Sequence, residues 1–176
     1  PGVSTPAVLW QSLLAYGKLQ NSRSRLLPFI PDRHRHGYGL GELAVAEVIS
    51  GKAFAKTSLP DFVPKLVVTV DTGIVAHVGI KTFVDSGIDV IITDHHQPDS
   101  TLPPAQAIVH STATSGAGLA WIFALYLLGD SALNLLDLAI IGIVGDMMPT
   151  TGLNRSLIKR GLQVLTSTRR PGLLAL

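Results

Sequence analysis

Two short runs of β-branched residues, at 66–70 and 88–93, most constrain the fold of this 176-residue chain. The first run has no charged residue and the second has only Asp89, which is typical of parallel strands buried on both faces of a sheet. Residues 74–86 have helical spacing, and Gly87 follows them as a helix C-cap. Strand, helix and strand in this order predict a right-handed βαβ unit. The predicted fold class is therefore α/β, a parallel sheet flanked by helices.

The remaining segments fit the same class. A polar loop is predicted at residues 32–39, and a chain of this length without a repeat or linker predicts one domain over residues 1–176. Short apolar runs predict two further strands at residues 26–30 and 107–109. Spacing or length predicts the other helices, at residues 3–16, 40–50, 119–128, 135–144 and 153–165.

Composition excludes several kinds of chemistry. The chain has no cysteine, which rules out disulfides, thiolate zinc sites and cysteine nucleophiles. Residues 61–150 carry nine acids against two cations, whereas residues 151–176 carry five cations and no acid. Central carboxylates suit a divalent cation, and flanking cations suit a polyanion whose phosphate meets that cation. Scattered surface charge is the alternative explanation.

No stretch of the sequence is a good transmembrane helix. The longest nearly apolar run, residues 117–129, has about half of the roughly 20 residues that a spanning helix needs. The next run, residues 135–148, contains Asp137 and Asp146. No targeting signal precedes the first helix. These features predict a soluble, cytoplasmic protein without a membrane partner.

Acidic and imidazole side chains follow the two buried strands. Asp71 comes directly after the first strand, and Asp94, His95 and His96 end the second. The carboxyl ends of neighbouring parallel strands open into one crevice, so these side chains are expected to lie close together. Imidazole nitrogen and carboxylate oxygen suit manganese or zinc. A helix cap at Asp71 and a plain polar loop at 94–96 remain alternatives, as does a cap or turn at Asp146, which lies at the end of a helix.

Several motifs follow one another in a recognisable order. They are Ile30-Pro31-Asp32-Arg33, Gly37-Tyr38-Gly39-Leu40, Val70-Asp71-Thr72-Gly73, Asp94-His95-His96, Leu102-Pro103-Pro104-Ala105, Gly145-Asp146-Met147-Met148-Pro149 and the stretch 154–173. Together they cover nearly the whole chain. The sequence resembles the DHH phosphoesterase family, and more closely its RecJ branch of single-strand-specific 5′ to 3′ DNA exonucleases.

The resemblance implies a metal site and a reaction. Asp71 would bridge two divalent ions, usually manganese with magnesium as the alternative, and His95 and Asp146 would complete the shell of one of them. His96 would contact the scissile phosphate, and Asp94 would support the site. The implied chemistry is two-metal hydrolysis of a phosphodiester.

The resemblance also implies a nucleic-acid surface. Arg33, Gly37 and Gly39 would lie beside single-stranded DNA, and Tyr38 is the aromatic residue best placed to stack on a base. A surface salt bridge is the alternative for Arg33. The implied function is a single-stranded-DNA exonuclease in repair and recombination. Replication or repair proteins are candidate partners, and the oligomeric state is left open.

The sequence departs from the family pattern at its beginning. An Asp-x-Asp motif is expected directly before Gly2, and residues 2–5 resemble the tail of that motif. We therefore expect a catalytic-core portion that lacks the first strand and the C-terminal substrate-binding domain. Such a portion is expected to bind manganese weakly and to hydrolyse DNA slowly or not at all.

Three alternatives remain open. The first is another activity within the family, on oligonucleotides, cyclic dinucleotides or pyrophosphate. The second is a degenerate module that binds nucleic acid or a protein without cutting. The third is a flavodoxin-like domain with another ligand, which the sequence disfavours because neither Gly-x-Gly, at 37–39 or 116–118, follows a strand and opens a helix.

Overall fold

The computed structural model describes residues 4–22, 24–59 and 62–175. The chain forms two compact units. One unit is Leu27–Thr112, and the other combines Pro1–Leu26 with Ala113–Leu176. The prediction of one domain stays a prediction.

The unit Leu27–Thr112 is built on a three-stranded sheet. The strands are β1 (Leu66–Val70), β2 (Asp89–Asp94) and β3 (Ala107–His110), in the order β1-β2-β3 and parallel throughout. Because all three strands run the same way, their carboxyl ends lie along one edge of the sheet. The α/β fold class and the strand at 107–109 are confirmed.

Burial differs between the two strands of the predicted βαβ unit. β2 lies in the centre and buries Val90 and Ile92 completely. β1 lies at an edge, where Thr69 is its only buried residue and Leu66 is 47% exposed. Burial on both faces is therefore correct for β2 and wrong for β1, because β1 is paired on one side only among the described residues.

Helices cover this sheet and close its core. They are α2 (Arg33–His36), α3 (Glu42–Ile49), a 3₁₀ turn (Lys52–Phe54) and α4 (His77–Asp85). α4 is the crossover between β1 and β2, and its apolar stripe turns inward as helical spacing requires. The core cluster comprises Val45, Val48, Phe54, Ile80, Phe83, Ile88, Val90 and Ile92.

The strand predicted at residues 26–30 is absent, although these residues are described. Pro28 lies in the middle of the run and has no N–H to donate to a sheet ladder, so the segment pairs with no strand among the described residues. Leu27 and Phe29 still pack against the core cluster. The polar loop predicted at 32–39 contains the short helix α2.

The second unit is entirely helical in the part that the structure describes. Its first helix continues through Gly17, where we expected it to end, while Val3 lies outside the described residues. The 3₁₀ segment and the last helix were not predicted. The elements are α1 (Ser4–Leu19), α5 (Gly116–Leu128), a 3₁₀ segment (Gly129–Leu135), α6 (Leu136–Gly145), α7 (Gly152–Leu165) and α8 (Pro171–Leu174).

The second Gly-x-Gly opens a helix, contrary to the sequence expectation. Gly116 is the first residue of α5, and the Ser115 hydroxyl caps that helix by accepting from the Gly118 N–H at 3.2 Å. Five residues separate the helix from β3, and Trp121 occupies the position of the third glycine of a dinucleotide fingerprint. The stretch is therefore not such a loop.

One described stretch, Gly116–Gly145, is long and apolar enough to cross a membrane. The backbone interrupts it at Gly129, which has φ 56°, and divides it into α5 and α6. These two helices pack against each other and against α1. Ala120 and Ala139 are completely buried in the unit. Core packing therefore accounts for part of the apolar character of this stretch, since 44% of its most apolar window is buried.

Arg170 ties together four segments of the helical unit. Its Nε donates to Asp137 Oδ2 at 2.9 Å, its Nη1 to Gln11 Oε1 at 2.8 Å and its Nη2 to the Asn134 carbonyl at 2.8 Å. The Thr168 hydroxyl also donates to Asp137 Oδ2, at 2.8 Å. The Asp137 side chain is only 3% exposed, so this network compensates a buried charge.

Close packing in the same unit leads to a stability prediction. A methyl group added at Gly142 would overlap Ala117 Cβ and lie 2.6 Å from Ser4 Oγ. Overpacking costs about 1–3 kcal/mol, and the better helix propensity of alanine returns only about 1 kcal/mol. We therefore expect Gly142→Ala to lower the free energy of unfolding in urea by up to about 2 kcal/mol.

A matched control is available in α8. Gly172 has open space around it and an ordinary φ, so Gly172→Ala is expected to be neutral or slightly stabilising. Equal effects of the two variants would contradict the close contact at Gly142.

Candidate metal centre

The chain turns sharply where β1 ends. Asp71 has φ 63°, a left-handed conformation that aspartate tolerates better than most residues, and its N–H donates to the Thr93 carbonyl at 2.9 Å. Gly73 has φ 117°, and a Cβ there would come within 2.7 Å of Thr69 Oγ1. The backbone therefore requires the glycine at position 73 and restricts position 71 to the few residues that accept a positive φ, in addition to any role in chemistry.

The turn brings Asp71 to the side chain that follows the neighbouring strand. His95 Nε2 lies 3.1 Å from Asp71 Oδ1, and the two side chains are 11% and 18% exposed. The expected neighbourhood of the two strand ends is thus present in the structure. Partial burial favours binding of an ion here, since fewer water molecules compete with the protein ligands.

Asp94 is 1% exposed and organises the residues around it. Its Oδ2 accepts from the Ile74 N–H at 2.9 Å. Its Oδ1 accepts from the N–H groups of His95 and His96, at 2.7 and 3.3 Å, and from His96 Nδ1 at 2.7 Å. Burial raises the pKa of Asp94, but the hydrogen bond from Ile74 and those from His96 and His95 outweigh it, so the pKa lies below its usual value of 3.8.

The contact with Asp94 also sets the proton on the His96 ring. The Asp94 carboxylate can only accept a hydrogen bond, so His96 Nδ1 carries the hydrogen and donates it. In the neutral ring the lone pair is then at Nε2. The His95 and His96 rings are tilted at 46°, with their centroids 4.5 Å apart. A carboxylate that orients a ligand histidine in this way is typical of metal sites in proteins.

Three side chains converge closely enough to hold one ion. Asp71, His95 and His96 each offer one ligand atom, and these atoms all lie within 4.8 Å of one another. One carboxylate oxygen and two imidazole nitrogens form a donor set that suits Mn²⁺ or Zn²⁺. The residues present therefore fit a divalent metal. The structure adds His96 to the candidate ligands, while its contact with phosphate stays a prediction.

Asp146 belongs to the other compact unit. It is the C-cap residue of α6, and its N–H donates to the Gly142 carbonyl at 2.9 Å. Met147 follows it with φ 52°, so the chain turns at this point as expected. The role of Asp146 as a metal ligand stays a prediction.

His110 was not predicted from the sequence. It ends β3, pairs in register with Asp94, and its Nε2 donates to the His96 carbonyl at 2.7 Å. The signal was available, because the third strand also ends at the edge of the sheet that carries Asp71. The predicted strand stopped one residue short of it.

The predicted nucleic-acid residues form a loop in the same unit. The Arg33 guanidinium lies over the Tyr38 ring, 5.4 Å from its centroid, and Tyr38 is 79% exposed. Gly37 and Gly39 have φ 80° and 73°, which side chains other than glycine rarely adopt. A Cβ at Gly39 would lie 3.9 Å from the hydroxyl oxygen of Thr72. The loop therefore lies beside the turn that carries Asp71.

Glu47 on α3 holds this loop and was not predicted. Its side chain is 8% exposed and pairs with Arg35 and with His36, whose Nε2 lies 3.1 Å from Glu47 Oε2. The Asp32 N–H donates to the other ring nitrogen of His36, at 2.8 Å. His36 therefore uses both ring nitrogens to fix α2 on α3, directly before Gly37.

The molecule is thus an α/β protein whose parallel sheet carries a cluster of carboxylate and imidazole side chains at its carboxyl edge. Residues 4–143 match the DHH family, N-terminal domain. The chain belongs to the DHH family. This confirms the family that the motifs indicated.

Similar curated proteins all carry the name single-stranded-DNA-specific exonuclease RecJ. The chain is 36% identical to the Bacillus subtilis (strain 168) protein over 98% of its own length and 21% of that protein. It is 33% identical to the Thermus thermophilus protein over 98% of its own length and 25% of that protein. It is 34% identical to the Escherichia coli (strain K12) protein over 84% of its own length and 28% of that protein. The chain thus spans between a fifth and somewhat over a quarter of these relatives.

Two solved structures resemble the chain closely. The crystal structure of exonuclease RecJ bound to manganese matches with a TM-score of 0.76 and 31% identity, over 97% of this chain and 42% of that one. The crystal structure of RecJ from Thermus thermophilus in complex with Mn²⁺ matches with a TM-score of 0.72 and 28% identity, over 99% of this chain and 24% of that one. These matches confirm the predicted DHH-type core.

Proposed function

We propose that this chain is the catalytic core of a metal-dependent exonuclease that hydrolyses single-stranded DNA from the 5′ end. The observation that carries the proposal is the cluster of Asp71, His95 and His96, ordered by Asp94, in a chain similar to single-strand-specific exonucleases. A cytoplasmic location and a role in DNA repair and recombination belong to the same proposal.

The residues have distinct roles in the proposed reaction. Asp71, His95 and His96 would hold the ion, preferentially Mn²⁺, with Asp146 as a further ligand. A bound divalent ion supplies an activated water and stabilises charge on the attacked phosphate. Asp94 keeps a proton on His96 Nδ1, which leaves Nε2 available to the metal or to a phosphate oxygen.

Arg33 and Tyr38 would place the substrate. The guanidinium is available to a phosphate on one side, while the exposed ring of Tyr38 offers a face on which a base stacks. Such stacking tolerates every base, which suits an enzyme that degrades single strands without reading their sequence. The Glu47 network holds the loop in place before DNA arrives.

The test is degradation of single-stranded DNA labelled at the 5′ end in one sample and at the 3′ end in another. With Mn²⁺ we expect the 5′-labelled sample to release a labelled mononucleotide from the first time point. The 3′-labelled sample should give a ladder of progressively shorter labelled strands. A chelator should abolish both signals, and Mg²⁺ should support less cleavage than Mn²⁺. The sequence predicts slow hydrolysis or none, so the proposed cleavage is measured in long time courses at high protein concentration.

Other results would identify the alternatives. Hydrolysis of dinucleotides or pyrophosphate, with long strands untouched, would assign the chain to another activity of the family. Binding of single-stranded DNA without cleavage in any metal would make it a binding module. Either result would overturn the proposed exonuclease.

A further inference from the structure

A recess on the surface of the helical unit combines charge with apolar surface. It has a volume of about 270 Å³ and is lined by Thr150, Arg155, Ile158, Lys159 and Leu162, which we call the α7 groove. Arg155 and Lys159 are four residues apart on α7, so they lie on the same face of the helix. The opposite face packs into the unit through other residues, Asn154, Leu157 and Gly161.

The charge in this region is not compensated locally. Residues 151–176 contain five lysines and arginines and no acid. Arg155 and Lys159 are both exposed, and neither pairs with a carboxylate among residues 4–22, 24–59 and 62–175. Arg170 differs, because Asp137 neutralises it. The α7 groove therefore presents two cations to solvent.

The lining of the groove suits a nucleotide chain. Guanidinium and ammonium groups bind phosphate, and the Thr150 hydroxyl is a further hydrogen-bond donor. Ile158 and Leu162 supply an apolar surface, with Leu162 52% exposed, against which a sugar or base packs. A purely ionic surface patch would lack this second component.

We propose that the α7 groove binds the phosphodiester backbone of single-stranded DNA, as a contact additional to the Arg33–Tyr38 loop of the other compact unit. The inference rests on the proposed function, since it takes single-stranded DNA as the ligand. Two phosphate contacts predict a defined salt dependence, because each adds about 0.7 to the slope of log affinity against log salt for single strands.

The experiment measures binding of a fluorescent oligo(dT) of about 20 nucleotides by anisotropy, with a chelator present so that nothing is cut. We expect Arg155→Gln with Lys159→Gln to weaken binding about ten-fold and to lower the salt slope by about 1.4. The matched control is Lys52→Gln with Lys56→Gln, which removes the same charge from exposed lysines of the other unit. We expect the control to stay within about two-fold of wild type.

Two further measurements keep the proposal falsifiable. Thermal unfolding should be unchanged in both double variants, since all four side chains are exposed. The exchanged pair Arg155→Lys with Lys159→Arg keeps both charges and should retain the wild-type affinity. Loss of affinity in the exchanged pair as great as in the glutamine variant would overturn an electrostatic contact with phosphate.

The remaining outcomes separate this inference from the proposed function. Equal loss of DNA affinity in the groove and control variants would show a general charge effect and would overturn the α7 groove as a DNA-binding site. Unchanged DNA binding, with weaker binding of a polyglutamate peptide, would reassign the groove to an acidic protein partner. If wild type cleaves DNA and the groove variant binds it normally, the groove alone fails. If wild type neither binds nor cleaves single strands, the proposed function fails as well.

Discussion

The Asp71→Asn variant is expected to fold normally and to lose at least about 100-fold in Mn²⁺ affinity. Asparagine is among the few residues that accept the φ of 63° at this position, so the turn after β1 is kept. Alanine at this position would add backbone strain of about 1 kcal/mol. A loss of stability could then not be separated from a loss of metal affinity. The substitution removes the only carboxylate of the Asp71, His95 and His96 cluster. Loss of a residue that binds the metal should reduce metal affinity more than the roughly 10–100-fold that follows from losing a residue hydrogen-bonded to a ligand.

Titration calorimetry with Mn²⁺ measures this effect directly. The control is Asp89→Asn, which removes an exposed carboxylate at the opposite end of β2 and should leave the affinity unchanged. Under the proposed function, the nuclease activity of the two variants follows their metal affinities. Wild-type affinity in Asp71→Asn would exclude Asp71 as a ligand and move the candidate site elsewhere.

The second large effect is expected from Asp94→Asn. The buried carboxylate accepts hydrogen bonds from three backbone N–H groups and one imidazole, and an amide cannot accept at both of its terminal atoms. Buried donors left without an acceptor should lower the free energy of unfolding by about 3 kcal/mol. Metal affinity should fall by about 10–100-fold, because His96 loses the group that orients it.

The stability loss in Asp94→Asn should depend on pH. The pKa of Asp94 is lowered in the folded protein, so its contribution is complete above the unfolded value of 3.8 and is lost as pH falls towards the folded value. The difference between wild type and variant should therefore be constant above about pH 5 and should shrink below pH 3.8. Urea unfolding with a chelator present measures this difference.

Asp85→Asn is the control for general charge effects. Asp85 is exposed and pairs with Lys81 one helical turn away, so its removal should cost at most about 0.5 kcal/mol. A pH-independent difference between wild type and Asp94→Asn would contradict the role of the ionised carboxylate.

The elements that could be predicted from sequence are those with a local physical cause. The β-branched run before Asp71 and the one before Asp94 became strands, and the glycine after the first of these aspartates is required by a positive φ. The strand predicted at 26–30 does not form. The prediction relied on the apolar composition of the run and gave too little weight to Pro28, whose missing N–H prevents sheet pairing.

Other parts of the site depend on contacts between distant residues. Glu47 reads as an ordinary helix residue, yet it is buried against Arg35 and His36, 12 and 11 positions away. His110 reads as the polar end of a short strand until the register places it opposite Asp94. Neither contact follows from spacing along the chain, because tertiary packing decides both.

The Arg170 network bears on the order in which the chain is made. Its hydrogen bond to Gln11 joins residues 159 positions apart, and α1 packs against α5 and α6, which come more than 95 residues later. The sheet unit is contiguous in sequence, from residue 27 to residue 112. During synthesis this unit is free to form first, while α1 must wait on the ribosome for its partners. Until then the residues that α1 buries, among them Val8 and Leu9, lack the partners that cover them.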